Sequence, residues 1–408
     1  MKRSLIILIV VGCLILTLTL LDSSVPNKSE AKSKPADLIV HEWGTFTSIA
    51  GKNGAAIDWR PLNGATDLPK FVYTETGGDG FRGTYERGGG KGALARVRME
   101  TPVIYFYTPQ EMNADVRVAF WDGKITEWYP QASFVNSQFA PGETGQTFGN
   151  GINWGTIKLL PDAKPNFPRE AADSHYYPAR ETDAVPVQIC NHDKTKIETE
   201  KFLFYRGIGN FDLSLTVKIG GENLTLANRE TDEIRNLIIF ENRGGKINFG
   251  FVEKLSGEMI IERPAANKTL EDVLTTLEKI LVAEGLYEKE AKAMIATWKD
   301  SWFEEGLRVF YILPRRMIDK ILPLDIKPEP KETVRVMVGR AEVVTPEMER
   351  DVRKQVELLK SSSAKTREEA QTNLRKRGRF YEPILKSILQ NEKDEQVRAQ
   401  IQKLIELS

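Results

Sequence analysis

The residues of this sequence with the most chemistry to offer are three histidines, His41, His175 and His192, and two cysteines, Cys13 and Cys190. Imidazoles titrate near neutral pH and serve as proton carriers or metal ligands. His41 is followed by Glu42, Trp43 and Gly44, so the second histidine that HExxH needs four residues on is missing. A catalytic zinc asks for three protein ligands and an open position for water. His41 and His175, with Glu42 or Asp183, would therefore have to be gathered from separate segments by folding. A plainer reading competes with that one. His41 lies in the run Leu38 to Phe46, whose alternation places it on a strand between apolar neighbours as a partly buried hydrogen-bonding group. On that ground no metal and no cofactor are expected.

Nucleophilic catalysis has less to work with. No GxSxG elbow occurs, and Cys190 has only His192, two residues away, where local geometry rarely suits a thiolate and its base. Asp300, Glu304 and Glu305 supply acids of the kind that act as an acid/base pair, but a solvated helix end explains them equally. Gly78-Asp79-Gly80-Phe81-Arg82-Gly83 has dinucleotide-loop spacing, yet more glycines follow where a helix should begin. GxxxxGK[ST] fails at Tyr85 and at Gly92, so residues 77 to 92 read as a surface loop. Trp59, Tyr129, Trp154, Tyr176 and Tyr177 would stack on sugars or peptides if exposed and belong to the core if not. The one enzymatic reading these residues allow is an extracytoplasmic hydrolase built on His41, Glu42, His175 and Arg180. The absence of a complete catalytic constellation favours a non-enzymatic binding or assembly protein.

Such residues need elements to hold them, and the 408-residue chain is long enough for two or three domains. Charged residues make up 28%, and 57 Lys+Arg balance 57 Asp+Glu, which offers no net field to a polyanion and argues against nucleic acid. Lys2 and Arg3 precede Leu5 to Leu21, an uncharged apolar run that reads as an export signal. Ser29-Glu30-Ala31 resembles a cleavage site but lies well beyond the run, which favours a retained anchor with the body outside the cytoplasm; cleavage and release is the alternative. Val10-Val11-Gly12-Cys13 resembles a lipoprotein box, although the apolar run continues past it. With only Cys190 in the body, burial rather than disulfides must stabilise it.

Residues 1–36 thus read as anchor and polar tether, and 37–265 as a β-rich body. Leu38 to Val40 and the apolar run Pro102 to Tyr107 predict strands. Asp122-Gly123, Gly220-Gly221 and Gly244-Gly245 predict hairpin turns between alternating segments, and Phe202 to Tyr205 adds a further strand. Residues 131–200 show little periodicity and read as irregular loops. Many short strands joined by such turns indicate an antiparallel β-sandwich-like body. From Thr269 the period becomes helical, with Thr269 and Asp272 as a cap. Met294, Trp298 and Trp302 form a core stripe on a second helix ending near Glu305. Leu307 to Leu313 and Val334 to Val338 return to strand, so 266–345 reads as an α+β module. Residues 346–408 read as four short amphipathic helices resembling a HEAT-like pair, too few repeats to bury a core alone, which must dock on the body or a protein partner. The expected fold class is α+β.

The phrases HEWGTFTS at His41, VRMETPVIYFY at Val97, HYYPAR at His175 and EKFLFYRGIGNF at Glu200 resemble a family of exported bacterial proteins over most of residues 38 to 345. The resemblance implies export and fold; it assigns no activity and no site residue.

Overall fold

The computed structural model describes residues 36–62, 68–75, 93–136, 150–190, 196–264, 269–376 and 379–407. The apolar run Leu5–Leu21, the lipoprotein-box Cys13, the glycine-rich stretch 77–92 and His192 lie outside them. Among the described residues no helix is long and apolar enough to cross a membrane.

The strands in chain order are β1 (Ala36–Ala50), β2 (Tyr73–Thr74), β3 (Val97–Tyr107), β4 (Met112–Ala119), β5 (Gly123–Tyr129) and β6 (Phe134–Val135). There follow β7 (Gly151–Leu159), a 3-10 turn (Tyr177–Arg180), β8 (Val187–Cys190), β9 (Ile197–Glu200) and β10 (Leu203–Gly209). Next come β11 (Leu215–Gly220), β12 (Asn223–Asn228), β13 (Ile234–Arg243), β14 (Lys246–Leu255) and β15 (Glu258–Glu262). Helices α1 (Leu270–Ala283) and α2 (Glu288–Trp302) precede β16 (Gly306–Ile312), α3 (Arg315–Ile321), β17 (Leu324–Lys327) and β18 (Pro330–Val343). The chain ends in α4 (Pro346–Leu358), α5 (Ala364–Lys376), α6 (Glu382–Asn391) and α7 (Glu395–Leu407).

The fold is α+β, as expected. A nine-stranded sheet runs β14-β13-β16-β18-β1-β3-β10-β5-β2, antiparallel throughout except that β1 pairs in parallel with β18. Its two faces differ. One packs Leu38, Val40, Ile104 and Phe106 against the smaller sheets β17-β4-β7-β8-β9 and β11-β12-β15, giving a sandwich-like core. The other packs Trp43, Tyr105, Phe240 and Phe310 against α1 and α2, where Met294, Trp298 and Trp302 form the expected stripe. β3 serves both cores by alternation, with Ile104 and Phe106 on one face and Val103 and Tyr105 on the other, and its register against β1 shifts near Thr101, whose φ of 48° is left-handed. The extra residue of such a bulge swaps which side chains point inward, so Met99 and Ile104 share one face.

Local sequence chemistry accounts for several ends and turns. Gly244 and Gly245, at φ 59° and 81°, close β13 onto β14, and Gly221, at φ 65°, turns β11 into β12. Thr269 and Asp272 cap α1 reciprocally. α2 stops at Trp302, short of Glu305, because the buried Arg308 guanidinium donates to the carbonyls of Trp302, Glu304 and Glu305 and so satisfies the helix end.

Four expectations change. Asp122-Gly123 does bend the chain, but β4 pairs with β7 and β17 while β5 pairs with β10 and β2. The bend therefore carries the chain from one sheet to the other, with the buried Phe120 ring folded against Gly123. Residues 131–200 contain β6 to β9; alternation in β7 was masked by a bulge at Gly155, φ 71°, which shifts the buried set from Ile152 and Trp154 to Ile157 and Leu159. The line drawn at 265/266 runs through a single sheet, since β16 and β18 lie between β13 and β1. The tail, expected to have too few repeats to bury a core, has four helices that bury one around Val352, Leu374, Leu385 and Ile401, because they pack on one another as a single bundle. They also meet the body, where Phe380 rests on Trp59 and on the Arg340 guanidinium, and Glu382 accepts from the Arg60 backbone.

Candidate functional site

Neighbours on a strand point to opposite faces, and this separates the first two candidates. His41, 1% exposed, faces α2, where its Nδ1 lies 2.7 Å from Glu290 Oε2 and its ring packs on Tyr107 and Tyr287. Glu42, fully buried, faces the other core. It accepts from Arg335 Nε at 2.6 Å and from the Tyr205 hydroxyl, and Arg335 also reaches Asp319 at 2.8 Å. Burial, then the Glu42 carboxylate, holds the Tyr205 phenol well above its ordinary value, so it remains a donor. Burial pulls Arg335 down, yet Glu42 and Tyr205 outweigh it and keep the guanidinium charged.

His175 precedes, and Arg180 ends, the 3-10 turn that packs against α2. His175 Nδ1 lies 2.9 Å from the Thr297 carbonyl, and its ring stacks on Trp298. Glu290 and Thr297 are seven residues apart on α2, roughly 10 Å of helix at 1.5 Å per residue, so the two histidines are anchored too far apart to share an ion. Arg180 grips Glu200 through Nε at 2.9 Å and Nη2 at 2.6 Å, and also donates to the Pro168 carbonyl. Burial lifts Glu200 above the usual carboxylate range despite Arg180, the Lys201 N–H and the Tyr176 hydroxyl. Asp183 is exposed and pairs with Lys289 at 2.5 Å. Among the described residues no three His, Cys, Asp or Glu side chains are grouped to hold a metal.

The proposed quartet is therefore not one constellation: Glu42 faces the opposite core, His41 is sealed beneath α2, and Arg180 lines an open cavity that neither of them reaches. Cys190 is exposed at the end of β8. Glu304 pairs with Arg340, and the five aromatics Trp59, Tyr129, Trp154, Tyr176 and Tyr177 are all core residues.

That cavity is a cleft of about 550 Å³ between the 3-10 turn and α2, lined by Arg180, Glu181, Thr182, Lys201, Lys289 and Lys292, with Ala293 and Ala296 on the helix side. Lys201 donates to the Ala184 carbonyl at 3.0 Å and makes no ion pair among the described residues. Burial pulls its ammonium below the ordinary value of 10.5. The Thr182 hydroxyl is buried without a protein partner. Sequence reasoning found Arg180 and Asp183 beside this cleft but missed its lysines. The available sign was Lys289, Lys292, Ala293 and Ala296 at helical spacing, two long cations next to two small side chains.

No protein-family model and no curated protein matches the chain. Among solved structures, the zebrafish (Danio rerio) Fcho1 mu-homology domain with bound Eps15 peptide overlaps 77% of this chain and 99% of its own, at 7% identity and a TM-score of 0.30. The yeast delta-COP-I mu-homology domain overlaps 76% of this chain and 99% of its own at 7% identity, with TM-scores of 0.28 in complex with a Dsl1 WxWxV peptide and 0.29 alone. Overlaps this loose say nothing about what the chain binds.

Proposed function

We propose that this is an exported, membrane-tethered binding or assembly protein, held by Leu5–Leu21, with a ligand surface on its β-rich body and a HEAT-like tail for a protein partner. The observation that supports it is the use made of His41. A general base or zinc ligand needs a ring nitrogen facing substrate or ion. Here the ring is 1% exposed, so neither nitrogen opens to solvent; Nδ1 lies against the buried Glu290, whose other oxygen accepts from Tyr107, and the imidazole links β1 and β3 to α2. Glu42, His175 and Arg180 are tied down in the same manner.

In fractionated cells the full chain stays in the membrane pellet and leaves it only with detergent. His41→Ala lowers the melting temperature, because a buried charged hydrogen bond contributes about 1.5–3 kcal/mol. A released chain starting near Lys32 would sink the tether. About one equivalent of zinc in the purified protein, lost in His41→Ala and His175→Ala alike, would replace this reading with the hydrolase.

A further inference from the structure

We propose that the cleft between the 3-10 turn and α2 binds the oxyanion of a small organic molecule, a carboxylate or a phosphate, with Lys201 and Thr182 as its inner donors and Lys289 and Lys292 at its mouth. The inference rests on the reading of the protein as a binding protein and names the ligand class. Four of the five charged side chains lining the cleft are cations. Arg180 is held bidentate by Glu200 and cannot swing away. Among the described residues Lys201 makes no contact ion pair. An ammonium carries three donors, and only one is used here, on a neutral carbonyl. Burial of this cation is only partly offset by the Asp183, Glu181 and Glu200 carboxylates, none of which it pairs with directly, and an incoming anion in contact with it offsets the rest.

Thr182 points to the same occupant independently. A buried hydroxyl without a partner costs free energy, and Thr182 stands in the cleft wall, so turning its covered oxygen toward a bound anion would supply the missing acceptor. At the mouth, Lys289–Asp183 and Lys292–Glu278 are exposed pairs of little net worth, so both lysines are free to turn to a ligand. Ala293 and Ala296 keep the helix wall low, and the volume matches that of ordinary small-molecule sites.

The test uses the full chain in detergent, with thermal unfolding followed in chloride, inorganic phosphate and acetate at matched pH and ionic strength. A bound anion stabilises by mass action. Phosphate or acetate is expected to raise the melting temperature saturably; whichever does so at lower concentration identifies the head group. Lys201→Gln should weaken that anion at least about tenfold, the usual loss for a charged hydrogen bond. Thr182→Val, nearly isosteric, should weaken it in the same direction. If Lys201→Gln melts early in chloride, Lys292→Gln on the exposed wall carries the comparison. A rise equal to that in chloride, or one unchanged in the variants, overturns the proposal. Failure here with the chain still in the membrane pellet leaves the tethered-protein reading intact, while detergent-free release defeats only that one.

Discussion

Glu42 and Arg335 show how much the meaning of a charged residue depends on which way its strand faces. Placed in loops they would look catalytic; placed on adjacent central strands they are a buried pair with Tyr205 as third member. Removing one partner of such a pair strands the other without solvent, so Arg335→Ala should cost about 3–5 kcal/mol of unfolding free energy in denaturant titration. Replacing all three by apolar side chains of similar size, Glu42→Leu with Arg335→Met and Tyr205→Phe, should recover most of that loss. A triple variant no more stable than Arg335→Ala would mean that the network contributes more than mutual satisfaction. The strand position of His41 was legible, and with it the opposite orientation of Glu42, because period-2 alternation is written in Leu38 to Phe46. Which distant side chain each would meet was not legible, since Glu290 and Arg335 arrive from elements far along the chain.

Between elements, the contact of the tail with the body turns on few groups. Arg263 lies between Glu241, at 2.5 Å, and Glu347, at 3.3 Å, in the first turn of α4. Burial raises Glu347, but the helix-end backbone, Thr345 and Arg263 together draw it below its ordinary value of 4.5. A carboxyl depressed in the folded state contributes stability above its unfolded pKa and loses it as pH falls through the lower folded one. Acid titration of Glu347→Gln should therefore show a shallower loss of stability below about pH 4.5 than the parent; superimposable curves would remove Glu347 from the contact. Glycine turns, the Thr269 cap and the tryptophan stripe of α2 could be read from sequence because each is decided within a few residues. The crossing at Asp122-Gly123 could not. Turn chemistry fixes a bend, while its neighbours in space decide whether the flanking strands lie side by side or in different layers.

For the molecule as a whole, the helix-side face of the large sheet changes character along its length. Past the β3 bulge, Arg98, Glu100, Arg308, Arg340 and Glu342 replace the apolar residues that α1 and α2 cover, and Phe380, Trp59 and the Pro61 carbonyl close over this end. Completion of this sheet also depends on its far partner, β18. Chains stopped before Pro330 should be recovered only as aggregate or degraded fragments in expression trials, and a stable, protease-resistant product ending there would contradict the central role given to β18. Ala36 pairs with Pro330 and Ala50 with Val343, so the first strand made is flanked by nearly the last. Synthesis at about 5–20 residues per second leaves an apolar strand with one open edge for roughly 15 to 60 s before its neighbour exists. A sequence arranged in this way has a waiting time written into its topology: whatever receives the growing chain has to keep Leu38 to Phe46 from pairing elsewhere until Pro330 to Val343 has been made.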